Sequence, residues 1–501
     1  MKKIVFILLS FFAAIICQGQ KKEQSKPNII FFLVDDMGWQ ETSVPFHSEA
    51  TELNYRYNTP NMERLANRGM KFTQAYAAAV CSPSRISLMT GLNSARHKVT
   101  CWTLRKNESP SQKLKDITEP DWNVNGISTT EGVDRAIIVN TLPQLLKQTG
   151  YQTIHVGKAH FGAKDTPGEN PLNLGFDVNI AGHAAGGPGS YYGTNNFSAA
   201  FRNGDLIWDI PGLDEYHGKD IYLNEALTIK ANNEINKAVS DNKPFYLYMS
   251  HYAIHAPWEK DPRFYDKYKA MGLTNFQATY ASMVESMDKS LGDIMQNVRK
   301  QGIEDNTIIV FMSDNGQPSN ADSNLPLRGH KLLPYEGGVR VPLIVHWPGV
   351  TQPGSVSKNY MIIEDIFPTF LEMAGVKQFK QKGGPIDGKS IVPFLEGKTK
   401  HKQNRPIFWH YPNTYGGTLY FPYSSMRQGN WKLVYRHVGR ELELYNLKDD
   451  LGEENDLAKN EPEKLIELSK VLSNFLRESD AQMPTDNRTG KKVVYPDALF
   501  E

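Results

Sequence analysis

Cysteine is scarce in this chain of 501 residues: three occur, and Cys17 falls inside an N-terminal segment that has the marks of a leader. Lys2 and Lys3 precede an apolar run from Ile4 to Ile16, too short to span a bilayer and shaped like the hydrophobic stretch of a secretory signal. A signal peptide over 1–19 and an exported protein, periplasmic or secreted, are therefore expected. The Ala14-Ile15-Ile16-Cys17 pattern offers a lipid-anchored outer-membrane form as the alternative. No other apolar run is long enough for a transmembrane helix, so no integral membrane span is expected. With Cys81 and Cys101 alone left after the leader, a disulfide framework is excluded, and at most one bridge between them could close a loop.

An excess of one charge is missing too. Lysine and arginine number 56 against 55 acids, a formal +1, so no global field draws the chain to nucleic acid, and an anionic partner has to be held by a local pocket. Biased tracts and internal repeats are absent as well. At 40 % hydrophobic, 11 % aromatic and 22 % charged residues, the composition is that of a globular protein and not of a disordered one.

What is present reads as an α/β protein. Asn28 to Val34 is a continuous apolar run bounded by Pro27 and Asp35, the pattern of a strand covered on both faces, as in a parallel sheet. Similar runs lie at Gln152–Val156, Pro244–Met249, Thr307–Met312 and Val341–His346, with helical patterns at Thr59–Gly69, Thr141–Gly150, Leu223–Ala238 and Thr279–Gln301 between them. Alternation of this kind predicts a doubly wound, mostly parallel sheet over 20–376. From 377 to 501 the texture changes to strand-like pieces at Pro406–Trp409, Trp431–Tyr435 and Glu441–Tyr445 and one amphipathic helix, Pro462–Glu478, which predicts a smaller antiparallel α+β subdomain.

Ligands of open α/β sheets bind beyond the carboxyl ends of the strands, and there the chain is rich in chemistry. The apolar runs end in Asp35-Asp36, in Gly157-Lys158-Ala159-His160, in Ser250-His251 leading to His255-Ala256-Pro257, and in Ser313-Asp314-Asn315-Gly316. Asp35, Asp36, Asp314 and Asn315 are oxygen donors, suited to calcium or magnesium rather than zinc, although Asp and Asn in such places also make ordinary turns. Cys81 opens Cys81-Ser82-Pro83-Ser84-Arg85, where Pro83 suits the first turn of a helix and Gly91 its stop. A helix N-terminus stabilises an anion, whether a thiolate or a bound oxyanion, and Arg85 one turn in could bind it as well. His251 reads as a packing histidine, and Tyr252 and Trp258 as core aromatics. The residues alone stop at an anion-binding site with a reactive group.

Cys81-Ser82-Pro83-Ser84-Arg85 with Leu88-Met89-Thr90-Gly91 resembles the C-x-P-S-R-x-x-L-x-T-G signature of type I, formylglycine-dependent sulfatases of the alkaline phosphatase-like superfamily. The resemblance extends through Asp35-Asp36, Gly157-Lys158-Ala159-His160, His255-Ala256-Pro257, Asp314-Asn315-Gly316, Lys331 and Glu336-Gly337-Gly338-Val339-Arg340. It implies that a maturase oxidises Cys81 to formylglycine (3-oxoalanine), whose hydrate attacks sulfur, and that Asp35, Asp36, Cys81, Asp314 and Asn315 gather around Ca2+ or Mg2+. By the same resemblance Arg85 fixes the formylglycine, Lys158 and Lys331 neutralise sulfate oxygens, His255 protonates the departing oxygen, and His160 takes the proton that restores the aldehyde.

The substrate implied is a sulfated oligo- or polysaccharide, with an algal polymer such as ulvan as the expectation. His183 and Arg328, near these segments, are the candidates for sugar contact, and the long polar stretch from Thr103 to Asp134, with Trp102 before it, is a candidate glycan cleft. Two rivals stand beside this reading: a phosphonate monoester or phosphodiester hydrolase of the same superfamily, and a non-catalytic glycan-binding protein with Cys81 unconverted.

Overall fold

In the computed structural model, residues 26–321, 324–398 and 404–501 are described; the leader expected over 1–19 lies outside them. The strand β1 (Asn28–Val34) sits inside the larger sheet, and its alternation explains its continuous apolarity. Ile29, Phe31 and Leu33 enter the core on one face, and Ile30, Phe32 and Val34 enter the core on the other. The remaining strands are β2 (Met70–Tyr76), β3 (Gln152–Gly157), β4 (Val178–Ile180), β5 (Phe245–Ser250), β6 (Thr307–Ser313), β7 (Arg340–His346), β8 (Ser355–Ser357) and β9 (Met361–Ile362). They run in the order β8-β2-β7-β6-β1-β5-β3-β4, with β9 also paired to β2.

Pairing is parallel from β6 through β1, β5 and β3 to β4. The exception is β7, antiparallel to both β6 and β2, where the apolar run alone suggested another parallel strand. A run buried on both faces carries no mark of direction. β2 escapes the sequence pattern because Lys71, Thr73 and Gln74 alternate with its core residues near the edge of the sheet.

Helices cover both faces. One face packs α2 (Cys81–Thr90), α3 (Leu142–Gln148) and α6 (Ile366–Met373), through Ile86, Leu146 and Phe370 among others. The other packs α1 (Pro60–Arg68), α4 (Leu223–Ser240) and α5 (Asn275–Lys300), through Leu65, Leu227 and Leu291. α5 starts a turn earlier than its apolar pattern. The Thr274 hydroxyl accepts from Gln277 N at 3.2 Å, while the Gln277 amide oxygen accepts from Thr274 N at 3.0 Å, a capping box that satisfies two end groups.

A second, antiparallel sheet follows: β10 (Pro406–Tyr411), β11 (Tyr423–Gln428), β12 (Trp431–Arg436) and β13 (Glu441–Asn446), in sequential order. The helix α7 (Pro462–Glu478) lays Leu468, Leu472 and Leu476 against Met426, Leu433 and Leu444 of this sheet. The fold class is thus α/β, with a large mostly parallel sheet and a small antiparallel C-terminal one. β11 is absent from the sequence expectation because Ser424, Ser425, Arg427 and Gln428 mask its strand character.

A buried ion cluster joins the two sheets. Lys432 Nζ of β12 lies 2.9 Å from Glu336 Oε1 and 2.9 Å from Glu453 Oε1, all fully buried. Glu336, in the turn before β7, also accepts from Tyr76 Oη of β2 at 2.7 Å. Burial would raise Glu336, but Lys432 and then Arg340 outweigh it and hold the carboxyl at about 2. Removing the cation leaves the buried Glu453 carboxyl with no ion-pair partner and Glu336 with Arg340 alone. Lys432→Met should therefore lower unfolding stability by about 3–5 kcal/mol, read as a fall in the denaturant midpoint; an unchanged midpoint would show that the cluster contributes no net stability.

Candidate active site

Parallel strand ends bring the polar residues to one rim. Asp35 and Asp36 follow β1, Lys158 and His160 follow β3, His255 lies beyond β5, and Asp314 and Asn315 follow β6. Two of these positions use left-handed backbone, Asp36 at φ 62° and His160 at φ 58°, conformations that a non-glycine residue holds only when its surroundings fix it. Gly157, at φ 99°, lets β3 close on β5: a Cβ there would sit 1.8 Å from the Ser250 carbonyl oxygen. That carbonyl accepts from Lys158 N at 2.8 Å.

Cys81 is the first residue of α2, and Gly91 ends the helix in the left-handed conformation at φ 72°. All ten residues of this helix are buried, Arg85 completely so. A buried guanidinium needs partners in several directions. Arg85 donates through Nε to Asp314 Oδ2 at 2.8 Å, and through Nη1 to Ser250 Oγ at 2.6 Å and to the Lys158 carbonyl at 3.2 Å, while Nη2 stands 2.7 Å from the same Asp314 oxygen as an ion pair. It thereby ties α2 to the ends of β3, β5 and β6.

The carboxylates are packed closely. One donor atom each from Asp35, Asp36, Cys81 and Asp314 lies within 4.8 Å of the others. Lys158 Nζ pairs with Asp35. Lys331 Nζ reaches Asp36 Oδ1 at 2.6 Å and Cys81 Sγ at 3.2 Å, and Cys81 Sγ stands 3.5 Å from Asp35 Oδ1. Burial, and then the Asp314 carboxylate, push Asp35 up to about 8. Burial works in the same sense on Asp36, but Lys331 and His255 outweigh it and hold that carboxyl well below the usual range. Burial raises the Cys81 thiol to about 12 despite both lysines.

This donor set suits a hard cation. Asn315 donates its amide to Asp36 Oδ1 at 2.7 Å, while its carbonyl Oδ1 is buried with no hydrogen-bond partner. An orphaned amide oxygen among three carboxylates is what an oxygen-seeking divalent ion would satisfy.

The two histidines have defined tautomers, because each donates to a carbonyl that can only accept. His255 Nδ1 donates to the Ala256 carbonyl at 2.7 Å, leaving Nε2 free, 3.9 Å from Asp36 Oδ2. His160 Nε2 donates to the Thr103 carbonyl at 2.8 Å, leaving Nδ1 buried and unpartnered. Burial, then Lys331, lower His255 to about 3, and burial, then Lys158, hold His160 well below its ordinary value. Gly186 and Gly187 press on both rings, since a Cβ at either would lie 2.4 Å from His160 Cε1 or 2.8 Å from His255 Nδ1. The sequence offered no signal for that pair beyond two consecutive glycines.

Asp36, Cys81, His160, His255 and Lys331 share a cavity of about 330 Å³. His183 and Arg328 are not among its lining residues. The His183 carbonyl accepts from His160 N at 3.2 Å, so the residue supports the site through its backbone. Arg328 stacks 3.8 Å above the Tyr335 ring and donates to Tyr445 Oη at 3.0 Å and the Glu453 carbonyl at 2.9 Å. Trp102 and Trp258 do line the cavity, with Trp208, Tyr415 and Tyr420, so Trp258 is no core aromatic. Tyr252 is fully buried, as expected, and His251 packs by hydrogen bonding Ser290 Oγ at 2.9 Å. Cys81 and Cys101 are both free thiols, so the bridge that their spacing allowed is not formed.

With this geometry in view, the family model described as Sulfatase matches residues 27–376, and that described as N-sulphoglucosamine sulphohydrolase, C-terminal, matches 330–482. The chain belongs to the sulfatase family. Among relatives of this sulfatase, a protein named Sulfatase from Formosa agariphila is 28 % identical, covering 96 % of this chain and 94 % of its own. Human N-acetylgalactosamine-6-sulfatase is 31 % identical over 79 % of this chain and 70 % of its own. The crystal structure of Ps i-CgsB superposes with a TM-score of 0.71 at 26 % identity, covering 90 % of this chain and 93 % of that one. The protein is a sulfuric ester hydrolase.

Because Arg85 fixes Asp314 and three strand ends at once, lysine cannot replace it. Arg85→Lys is expected to lower kcat/KM on an aryl sulfate by at least ~10²-fold while circular dichroism shows a folded protein. Activity within a few fold of the parent would show that the geometry around Asp314 tolerates its loss.

Proposed function

We propose that this sulfatase removes sulfate from a sulfated saccharide during polysaccharide breakdown outside the cytoplasm, with Cys81 converted to formylglycine by a maturase and with a calcium ion at the acidic cluster. The observation that carries the reading is the position of Cys81 Sγ, 3.2 Å from Lys331 Nζ, in the lining of a cavity shared with His160 and His255.

Asp35, Asp36, Asp314 and Asn315 are the residues that would hold the ion. A bound divalent cation supplies charge stabilisation at a sulfate oxygen, and the oxidised Cys81 side chain supplies a hydroxyl nucleophile. Lys331 and Lys158 neutralise the remaining oxygens, so that charge developing on them is met by groups already in place. Arg85 keeps Asp314 aimed. His255 Nε2, its other nitrogen tied to Ala256, exchanges a proton with the departing sugar oxygen. An anionic ester beside the two lysines offsets their charge and raises the proton affinity of that ring. His160 Nδ1 takes a proton from the hydroxyl at position 81.

The saccharide class is supported by the relatives: one is named for N-acetylgalactosamine 6-sulfate, and Ps i-CgsB has been crystallised with k-i-k-neocarrahexaose. For this chain the polymer proposed is an algal one such as ulvan. Export is supported by the leader pattern at 1–19 and agrees with the described residues, in which no helix is long and apolar enough to cross a membrane. The expected domain division at 376 is retained as part of this proposal.

Sulfate release from a panel of defined sulfated oligosaccharides tests the function. Turnover on saccharide sulfates with little on aryl phosphodiesters is expected, and the reverse ratio would favour the phosphodiesterase rival. Cys81→Ala should abolish turnover, and peptides containing Cys81 from the active protein should show the mass loss of thiol-to-aldehyde conversion; intact cysteine in fully active protein would overturn the formylglycine step. His255→Ala should slow esters with poor leaving groups ~10²- to 10⁴-fold and activated aryl sulfates far less; equal losses would remove His255 as the acid. Thorough chelation should inhibit and added calcium restore activity, whereas indifference to chelation would sink the metal assignment.

A further inference from the structure

The catalytic cavity is lined by two unlike sets of residues. Among the described residues that line it, the charged ones are Asp36 and Lys331, both at Cys81. Besides His160, His255, Ser319 and two small residues, the rest of the lining is aromatic or apolar: Trp102, Trp208, Trp258, Tyr415 and Tyr420 with Val80, Pro318 and Leu332.

The rings are held rather than loose. Trp102 meets Tyr415 edge to face with centroids 5.4 Å apart. Trp258 is backed by Phe276 at 5.2 Å, and Tyr420 by His330 at 5.8 Å. The stretch carrying Trp102 is linked to that carrying Trp208 by the Arg105–Asp205 ion pair. Leu206 and Leu419, close in the chain to Trp208 and Tyr420, are 62 % and 82 % exposed.

We propose that this aromatic wall is a sugar-face subsite: Trp102, Trp208, Trp258, Tyr415 and Tyr420 clasp the pyranose ring that bears the scissile sulfate, and that ring carries no second anionic group. The inference rests on the sulfatase reading and narrows its substrate class. A pyranose presents apolar C–H faces and polar edges, and rigid indole and phenol rings bury such faces at low entropic cost. A carboxylate or second sulfate on the same ring would lose hydration among them with no counter-charge to replace it. The substrate is then a monosulfated neutral hexose or N-acetylhexosamine, and the product an uncharged sugar that leaves the subsite without an ionic contact to break. A uronate or a further sulfate belongs on a neighbouring residue of the chain, outside the cavity.

The test uses the whole protein and matched hexosamine O-sulfates that share one ring and sulfation position and differ in whether the 2-nitrogen carries a neutral acetyl or an anionic sulfo group, such as N-acetylglucosamine 6-sulfate against D-glucosamine 2-N,6-O-disulfate, with equivalent pairs at the 3 and 4 positions. At whichever position is cleaved, kcat/KM should be at least about tenfold higher for the monosulfated partner. Equal or faster release from the doubly charged partner overturns the proposal while leaving the sulfatase reading intact; no sulfate release from any ester defeats that reading instead. Binding gives an independent readout: in Cys81→Ala, monosulfated sugar should quench tryptophan fluorescence, and failure of every such sugar to do so also overturns the subsite. Trp208→Ala and Trp258→Ala should each raise KM about 10- to 100-fold with a smaller change in kcat, and Trp258→Phe should recover most of the loss. Alanine variants that fold with unchanged KM would remove the ring contact.

Discussion

The structure depends on keeping several carboxylates dry and close together. Asp35, Asp36 and Asp314 converge from the ends of two neighbouring strands, and without compensation their repulsion and lost hydration would open the sheet at that point. Arg85, Lys158 and Lys331 supply the compensation from a helix and two loops. The cost of burying each of these charges is met only while all of them stay in register. For that reason the helix bearing Cys81 is enclosed on every side, and strained backbone at Asp36 and His160 is tolerated. Precise placement of the Cys81 side chain is a by-product of electrostatic closure.

The same principle recurs away from the site. Lys432 with Glu336 and Glu453 makes the smaller sheet part of the frame around the turn that precedes β7, and Gly338 of that turn accepts from Gly316 N at 3.0 Å. The C-terminal sheet thus buttresses the loop that follows Asn315. Its aromatic and glycine-rich connection between β10 and β11 also delivers Tyr415 and Tyr420 to the cavity, so the second sheet shapes the mouth as well as the frame.

Much of this was readable from residue order. The apolar runs, the acidic and amide residues behind them, the helix at Cys81 and the histidines at 160 and 255 all follow from local pattern plus the rule that α/β sites lie past strand termini. The direction of β7 was not readable, because a strand covered on both faces looks the same either way. β2 and β11 were hidden by polar residues that serve partners rather than water: Gln74 and Arg427 hydrogen bond each other across the sheets. Arg328 and His183 sit close in sequence to site segments, yet packing turns the first toward Tyr335 and Tyr445 and leaves the second in contact through its backbone. Trp208, Tyr415 and Tyr420 come from separate connections, and nothing short of the tertiary fold brings distant loops together around one hollow.

Reversal of β7 has an architectural outcome of its own. Because β6 and β7 are antiparallel neighbours, the chain between them leaves and re-enters the sheet at the same end of the strands, like a drawer handle, and never has to cross to the opposite end. Asp314, Asn315 and Lys331 ride on that single handle, and Pro318 and Ser319 sit between them. Lengthening or shortening it would remodel the entrance without disturbing any crossover helix.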